Sequence, residues 1–368
     1  MLHLTVSLAG SGYHPASWRV SRFPPRPDAA AIQQMARVAE RGKLDAVLLG
    51  LPVDAFGDVG KVNALPLDPL PVLGSLIGAT QRIGLGASWT VDYTEPFHVA
   101  RVFASLDHLS YGRTAWIADM FGGKALAPRI GRPPQAVGVA QYCQRAGEFI
   151  DVVRKLWDSW EDAALALDKA NGTFVEPDRV HPIEFAGEFF TVRGPLNVPR
   201  PPQGNPLVIL HDPADRDARQ FVAATADVIL MSCETLAQAR ERYSELRALA
   251  PTERFRVLAN IGVTLGAIET VARRRAAELD AMAPPPAGLR FVGTPEGLVE
   301  LFASWEREGA CDGFNLLPAV LEDIELFVDR AIPLGRKAGL FRKDYAGTTL
   351  REHLGLARPR SQYEGAAR

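Results

Sequence analysis

The stretch Val192–Leu210, VRGPLNVPRPPQGNPLVIL, decides how this chain is read. Its first part, Val192–Gly204, is dense in Pro, Gly and Arg. Proline fixes φ and lacks an N–H, so this part is neither helix nor inner strand. Its second part, Pro206–Leu210, is a short apolar run that reads as a strand buried on both faces. A rigid, irregular approach to a buried strand suits a loop held at the mouth of a parallel barrel.

Working outward, similar runs recur on both sides. They are Leu2–Leu8, Leu44–Leu49, Arg82–Trp89, Thr114–Ala118, Leu207–His211, Asp227–Met231, Arg256–Leu265 and Gly313–Leu317. Helical patterns fall between most of them: Ala29–Arg41 with Asp28 as N-cap, Pro71–Ala79, Pro96–Leu109, Asp215–Ala226, Thr235–Leu249 and Pro295–Glu308. Eight apolar strands alternating with helices predict an α/β fold, a single (β/α)8 TIM-type barrel. A doubly wound open sheet competes. The count, and the lack of a Gly-x-Gly-x-x-Gly after the first run, favour the barrel.

Two connections exceed ordinary βα loops. The long one, after strand four, covers residues 121–205. It has a Gly/Pro-rich opening, an amphipathic helix over Gln141–Trp160 and a hairpin over Ile183–Val192. The shorter one follows strand seven, with a helix over Glu269–Met282 and the breaker Pro284-Pro285-Pro286. Residues 1–358 are expected to form one barrel, with 359–368 a polar tail.

The 368 residues carry 41 Lys and Arg against 43 Asp and Glu, a net charge of −2, so there is no basic excess to hold nucleic acid. Cys143, Cys233 and Cys311 are far apart and odd in number, fitting neither a disulfide framework nor a zinc pattern. The N-terminus lacks a basic leader and no apolar run is long enough to span a membrane, so a cytoplasmic protein is expected.

In such barrels chemistry sits where the strands end. That position selects His14 and Trp18 after strand one and Asp54 after strand two. It also selects Ser88, Trp89 and Asp92 at strand three, Asp119 and Phe121 at strand four, and His211, Asp212 and Asp215 at strand five. Trp89, Phe121 and Tyr142 could wall a flat ring or simply fill the barrel top. His14 in a Gly/Ser loop could serve as acid or base. His211, Asp212 and Asp215 lack metal-ligand spacing, so no metal is expected.

Several stretches, in order, resemble the bacterial-luciferase-like flavin monooxygenases, in the branch of nitrilotriacetate and dibenzothiophene-sulfone monooxygenases. They are YHPASWR at Tyr13–Arg19, Thr80–Arg113, Tyr142–Ala163, VHPIEFAGEFFTVRGPLNVPRPPQG at Val180–Gly204, GTPE at Gly293–Glu296, EGACDGFNLLP at Glu308–Pro318 and LFRKDYAGTTLREHLGLARP at Leu340–Pro359. The resemblance runs nearly end to end, although the chain is shorter than such proteins in its second long connection. It implies a dimeric barrel that takes reduced FMN from a separate reductase, binds O2 and oxygenates a small organic substrate. It further implies His14 as a catalytic contact, Trp18, Trp89 and Phe121 around the substrate, and Ser88, Tyr142, Asp54, Asp119, Asp215 and Arg216 around the flavin.

The flavin positions also depart from the family pattern. The Ala-Asp-Ser expected after strand two is Gly50-Leu51-Pro52, with Asp54 nearby. The Asn-Val-Val-Thr of strand four is Ile117-Ala118-Asp119-Met120, and a His four residues before Tyr142 is Gly138. The phosphate-binding Gly-Ser-Ser-x-x-Gly after strand five is Pro213–Ala218, with Ala214 and Asp215 where hydroxyls would stand and a further carboxylate at Asp217. Weak FMN binding is therefore expected. A flavin-free relative that binds a small molecule or regulates a partner is the alternative.

Overall fold

The computed structural model describes residues 1–23, 29–50, 67–120, 127–132, 138–250 and 254–363. Eight parallel strands close on themselves: β1 His3–Ser7, β2 Ala46–Leu49, β3 Gly84–Thr90, β4 Thr114–Asp119, and, beyond the insert, β9 Leu207–His211, β10 Val228–Met231, β11 Arg256–Leu265 and β13 Gly313–Pro318. The seam is closed by β10 pairing with β11, and β1 pairs with β13 in parallel register, Leu4 opposite Phe314. The expected barrel is therefore present.

Between the strands run α1 Ser17–Val20, α2 Ala29–Arg41, α3 Pro69–Ala79, α4 Pro96–Ser110, α6 Arg216–Thr225, α7 Leu236–Leu249, α8 Glu269–Met282 and α9 Pro295–Arg307. Asp28, expected as an N-cap, lies outside the described residues. Helix α3 begins at its Pro pair, with Asp68 capping the Leu70 N–H at 3.0 Å. The insert carries α5, Val139–Asp158, and two small hairpins. These are β5 Leu165–Asp168 with β6 Thr173–Val175, and β7 Phe185–Ala186 with β8 Thr191–Val192.

Two layers of core follow from strand alternation. Outward residues such as Val47, Leu85 and Trp116 pack under the helices. Inward residues Ala46, Leu48, Ile117, Ile209 and Leu230 fill the barrel, and Leu350, Leu354 and Leu356 join them from the C-terminal segment. That segment, with α12 Leu350–His353, plugs the amino-terminal end of the barrel; the helices α10 Asp323–Leu326 and α11 Ile332–Lys337 lead to it. A Cβ on Gly84 would lie 2.4 Å from Leu350 Cδ1, so the plug fits only against a glycine.

Two expectations are corrected. The irregular stretch before β9 lies at the barrel floor, not its mouth, because a loop entering a strand's amino end belongs there. Gln203 donates to Asp107 Oδ1 at 2.6 Å and to the Thr114 carbonyl at 2.8 Å, and its own Oε1 accepts from Arg351 N at 3.1 Å. Arg200 reaches Asp158 at 3.0 Å, Asp162 at 3.1 Å and the Pro359 carbonyl at 2.9 Å. The stretch thus straps the insert and the C-terminal plug together. The second correction is a ninth strand, β12 Arg290–Gly293, which pairs in parallel with the second half of β11. It is short and follows the Pro run, so periodicity did not mark it.

Candidate active site

The carboxyl ends of β3 and β4 bring the expected residues into one group. Register places Ser88 beside Ile117 and Thr90 beside Asp119. Ser88 is buried, and Trp89 packs on Phe103 with ring centroids 6.4 Å apart while its carbonyl accepts from Trp116 Nε1 at 2.9 Å. From α5, the Tyr142 hydroxyl donates to Asp92 Oδ2 at 3.0 Å. One turn on, Arg145 stands 3.8 Å from Asp92 Oδ1, donates to the Val91 carbonyl at 3.1 Å and lies over the Phe190 ring. Sequence reading missed Arg145, although its i, i+3 spacing from Tyr142 puts both on one helix face. Burial, then the neighbouring Asp92, pushes the Asp119 carboxyl up to about 6.

The loop after β9 is organised differently from an open anion cradle. Asp215 is the N-cap of α6 and accepts from the Ala218 N–H at 2.9 Å, so the protein's own carboxylate occupies the helix N-terminus. The nearby cations are engaged. Arg219 is 3.4 Å from Asp212 and 2.7 Å from Glu245, and Arg242 is 2.9 Å from Asp212. Arg216 is exposed on the first turn of α6. Asp215 and Asp217 also act on Cys143 beside Tyr142; with burial, they push its thiol up. The Tyr142 helix and this loop are therefore neighbours. His211 is exposed, and Asp212 is spent on two arginines rather than gathered with it.

His14 lies at the carboxyl end of β1, buried, with both ring nitrogens engaged. Nδ1 accepts from Ala16 N at 3.1 Å, which fixes the proton on Nε2, and Nε2 donates to Asp280 at 3.1 Å. Burial holds its pKa below the usual imidazole value. Both ring nitrogens are thus engaged within the protein. Trp18 is 43% exposed on α1. Asp54 and Phe121 lie outside the described residues.

A second group lies on the other side of the same barrel end, around β10 to β13. Ser232, Asn260, Asn315 and Ser7 form a hydrogen-bonded chain through the barrel, from Asn260 Nδ2 to Ser232 at 3.2 Å and from Asn315 Nδ2 to Asn260 at 2.8 Å and to Ser7 at 3.1 Å. It borders a recess that His14, Thr264 and Arg290 also line.

This arrangement has known counterparts. The family model for luciferase-like monooxygenases matches residues 2–312. The chain belongs to the luciferase-like monooxygenase family. N-acetyl-S-(2-succino)cysteine monooxygenase of Bacillus subtilis (strain 168) is 33% identical over 439 aligned positions, covering 98% of each chain. Nitrilotriacetate monooxygenase component A of Aminobacter aminovorans is 32% identical over 95% of each, and dibenzothiophene-sulfone monooxygenase of Rhodococcus erythropolis 31% over 90% of each. The alignment with the first exceeds this chain's 368 residues, so that relative carries segments absent here. Among solved structures, the EDTA monooxygenase from Chelativorans sp. BNC1 superposes with a TM-score of 0.87 at 26% identity, over 97% of this chain and 99% of that one. Membership makes this luciferase-like barrel an oxidoreductase of the flavin-dependent monooxygenase kind. Among the described residues no helix is long and apolar enough to cross a membrane.

Proposed function

We propose that the protein oxygenates a small organic molecule with O2, using reduced FMN delivered by a separate reductase and held weakly. The end-to-end similarity to named monooxygenases carries this reading. The β3–β4 edge supports it: Ser88 offers a hydroxyl from the inward face of β3 and Tyr142 closes the edge from the insert, whereas Trp89, expected beside the substrate, faces the helix layer against Phe103. The loop after β9 fits a phosphate only in competition. The helix N-terminus is suited to anions, but a phosphate has to displace Asp215 from Ala218 N, and Asp217 stands in the first turn.

Bound reduced flavin supplies the electrons and the centre at which O2 reacts. The chain's own residues do the rest. Tyr142, held by Asp92, keeps α5 over the strand ends. Asp119, with its carboxyl near 6, can carry a proton at mildly acidic pH and accept hydrogen bonds above it. His14 braces the loop after β1 rather than moving protons.

We extend the proposal to a cytoplasmic homodimer of one barrel, residues 1–358, that carries the insert 121–205. On α3, a Cβ at Gly74 or Gly78 would meet nothing within 4 Å, which leaves the helix backbone open to a close partner. Sedimentation as a monomer at micromolar concentration counts against the dimer.

The function is tested by mixing reduced FMN and protein with aerated buffer and following flavin absorbance. Saturable slowing of flavin oxidation as protein is added is expected. Oxidation at the free-flavin rate at every protein concentration favours the flavin-free alternative, which the Asp215 cap motivates.

A further inference from the structure

The recess beside β10–β13 has a chemistry of its own. It is a cavity of about 80 Å³ at the carboxyl ends of β11 and β13, roofed by the connection before β12. Its walls are mostly apolar, with Val263, Leu289, Leu317 and Ala319 among them.

Two observations define what it accepts. The first is Thr264. It shares the inward face of β11 with Asn260, is 1% exposed, and its hydroxyl has no hydrogen-bond partner among the described residues. A buried hydroxyl left unpaired is costly, so it is a determinant awaiting a ligand atom. The second is charge. Arg290 is the cation of the lining, and both its Nη atoms are bound to the two oxygens of Asp280, at 2.8 and 2.9 Å. The Arg290 hydrogen bond holds the Asp280 carboxyl below its usual range, so this pair stays ionised and mutually neutral. His14 donates to the same carboxylate as a neutral imidazole. Burial pushes the Cys233 thiol up to about 11 and raises the Tyr13 phenol, so both stay protonated. Among the described residues that line it, no charge is left uncompensated.

We infer that this recess takes an uncharged organic molecule with one hydrogen-bond-accepting oxygen, to which Thr264 donates, and that it discriminates against carboxylates of similar size. The inference rests on the monooxygenase reading only in making that molecule the substrate. The binding itself needs no flavin. A carboxylate entering here loses water and finds its natural partner already paired.

The test uses the full-length, flavin-free protein and calorimetry with two probes, tetramethylene sulfone and 3-(methylsulfonyl)propanoate. Wild type is expected to bind the uncharged sulfone at least about tenfold more tightly than the carboxylate. Thr264→Val, which keeps shape and loses the hydroxyl, should weaken the sulfone about tenfold with an unchanged melting temperature, and Thr264→Ser should recover the affinity. Asp280→Asn, which releases Arg290, should strengthen the carboxylate about tenfold and leave the sulfone unaltered. Equal or tighter carboxylate binding by wild type, no sulfone binding at millimolar concentration, or an unaffected Thr264→Val each overturns the inference. None of these outcomes bears on FMN, whose titration in the same preparation tests the monooxygenase reading separately.

Discussion

The Tyr142 hydroxyl donates to Asp92 Oδ2 at 3.0 Å, and that bond ties α5 of the insert to the carboxyl end of β3. It also sets the electrostatics of the neighbouring strand end, because Asp92 is the charge that, after burial, raises the Asp119 carboxyl. The same few side chains therefore hold the insert in place and fix the proton affinity of the group beside them.

The Asp119 carboxyl gives a stability prediction with a definite sign. Its pKa is raised from 3.8 to about 6, so the folded state binds this proton more tightly than the unfolded chain. Stability from this group is present below about pH 4, declines as pH rises towards 6, and is flat above that. Asp119→Asn should therefore stabilise the protein at pH 8 by roughly 1–3 kcal/mol and change it little at pH 4. Urea midpoints at the two pH values measure this. The same shift at both would mean that the carboxyl's charge is not the cause.

At Asp215, substitution should trade one anion for another. Asp215→Ser keeps an N-cap for α6, so stability should change by less than about 1 kcal/mol. It removes the carboxylate that an incoming phosphate has to displace. FMN affinity should rise about tenfold or more, read from quenching of flavin fluorescence. Tight binding by wild type, or no gain in the variant, would place the phosphate elsewhere.

Arg200 should prove the cornerstone of the floor strap. Its side chain is 2% exposed and sits 3.0 Å from Asp158. Arg200→Met strands a largely buried carboxylate, for a loss of roughly 3–5 kcal/mol. Adding Asp158→Asn should recover part of it, because the stranded charge goes with the partner. A double variant no more stable than Arg200→Met in urea melts would show that the strap is held by shape rather than charge.

What the sequence disclosed divides along physical lines. The eight barrel strands were legible because strands buried on both faces are written as unbroken runs such as Leu207-Val208-Ile209-Leu210, and the helices because their caps and periods are local. That Ser88, Trp89 and Asp119 lie at strand ends was legible from the same runs, whereas Tyr142 was marked by the resemblance of its helix. Contacts between distant segments were hidden. Nothing near His14 announces Asp280, 266 residues away, as its partner. Thr264 is one hydroxyl inside an apolar strand, and only the assembled barrel shows that its hydroxyl lacks a partner among the described residues. The Val192–Leu210 stretch revealed its rigidity but not its end of the barrel, which depends on Gln203 and Arg200 meeting Arg351 and Pro359.

The plug at the floor yields the last prediction. Leu350 is fully buried inside the barrel, and Leu350→Ala should cost roughly 2–5 kcal/mol through lost burial and the cavity left behind. Gly84→Ala should also destabilise, since its Cβ would lie 2.4 Å and 2.8 Å from the two Leu350 methyl carbons and 2.9 Å from the Asp45 carbonyl. The two effects oppose each other in space, because shortening Leu350 vacates the volume that the new methyl needs. The double variant should therefore be less destabilised than the sum of the singles by roughly 1 kcal/mol or more. The Asp45 carbonyl is backbone and stays in place, so recovery should be incomplete. Chemical denaturation of the four proteins in the cycle measures the coupling, and strict additivity would mean that the plug and β3 do not share this space.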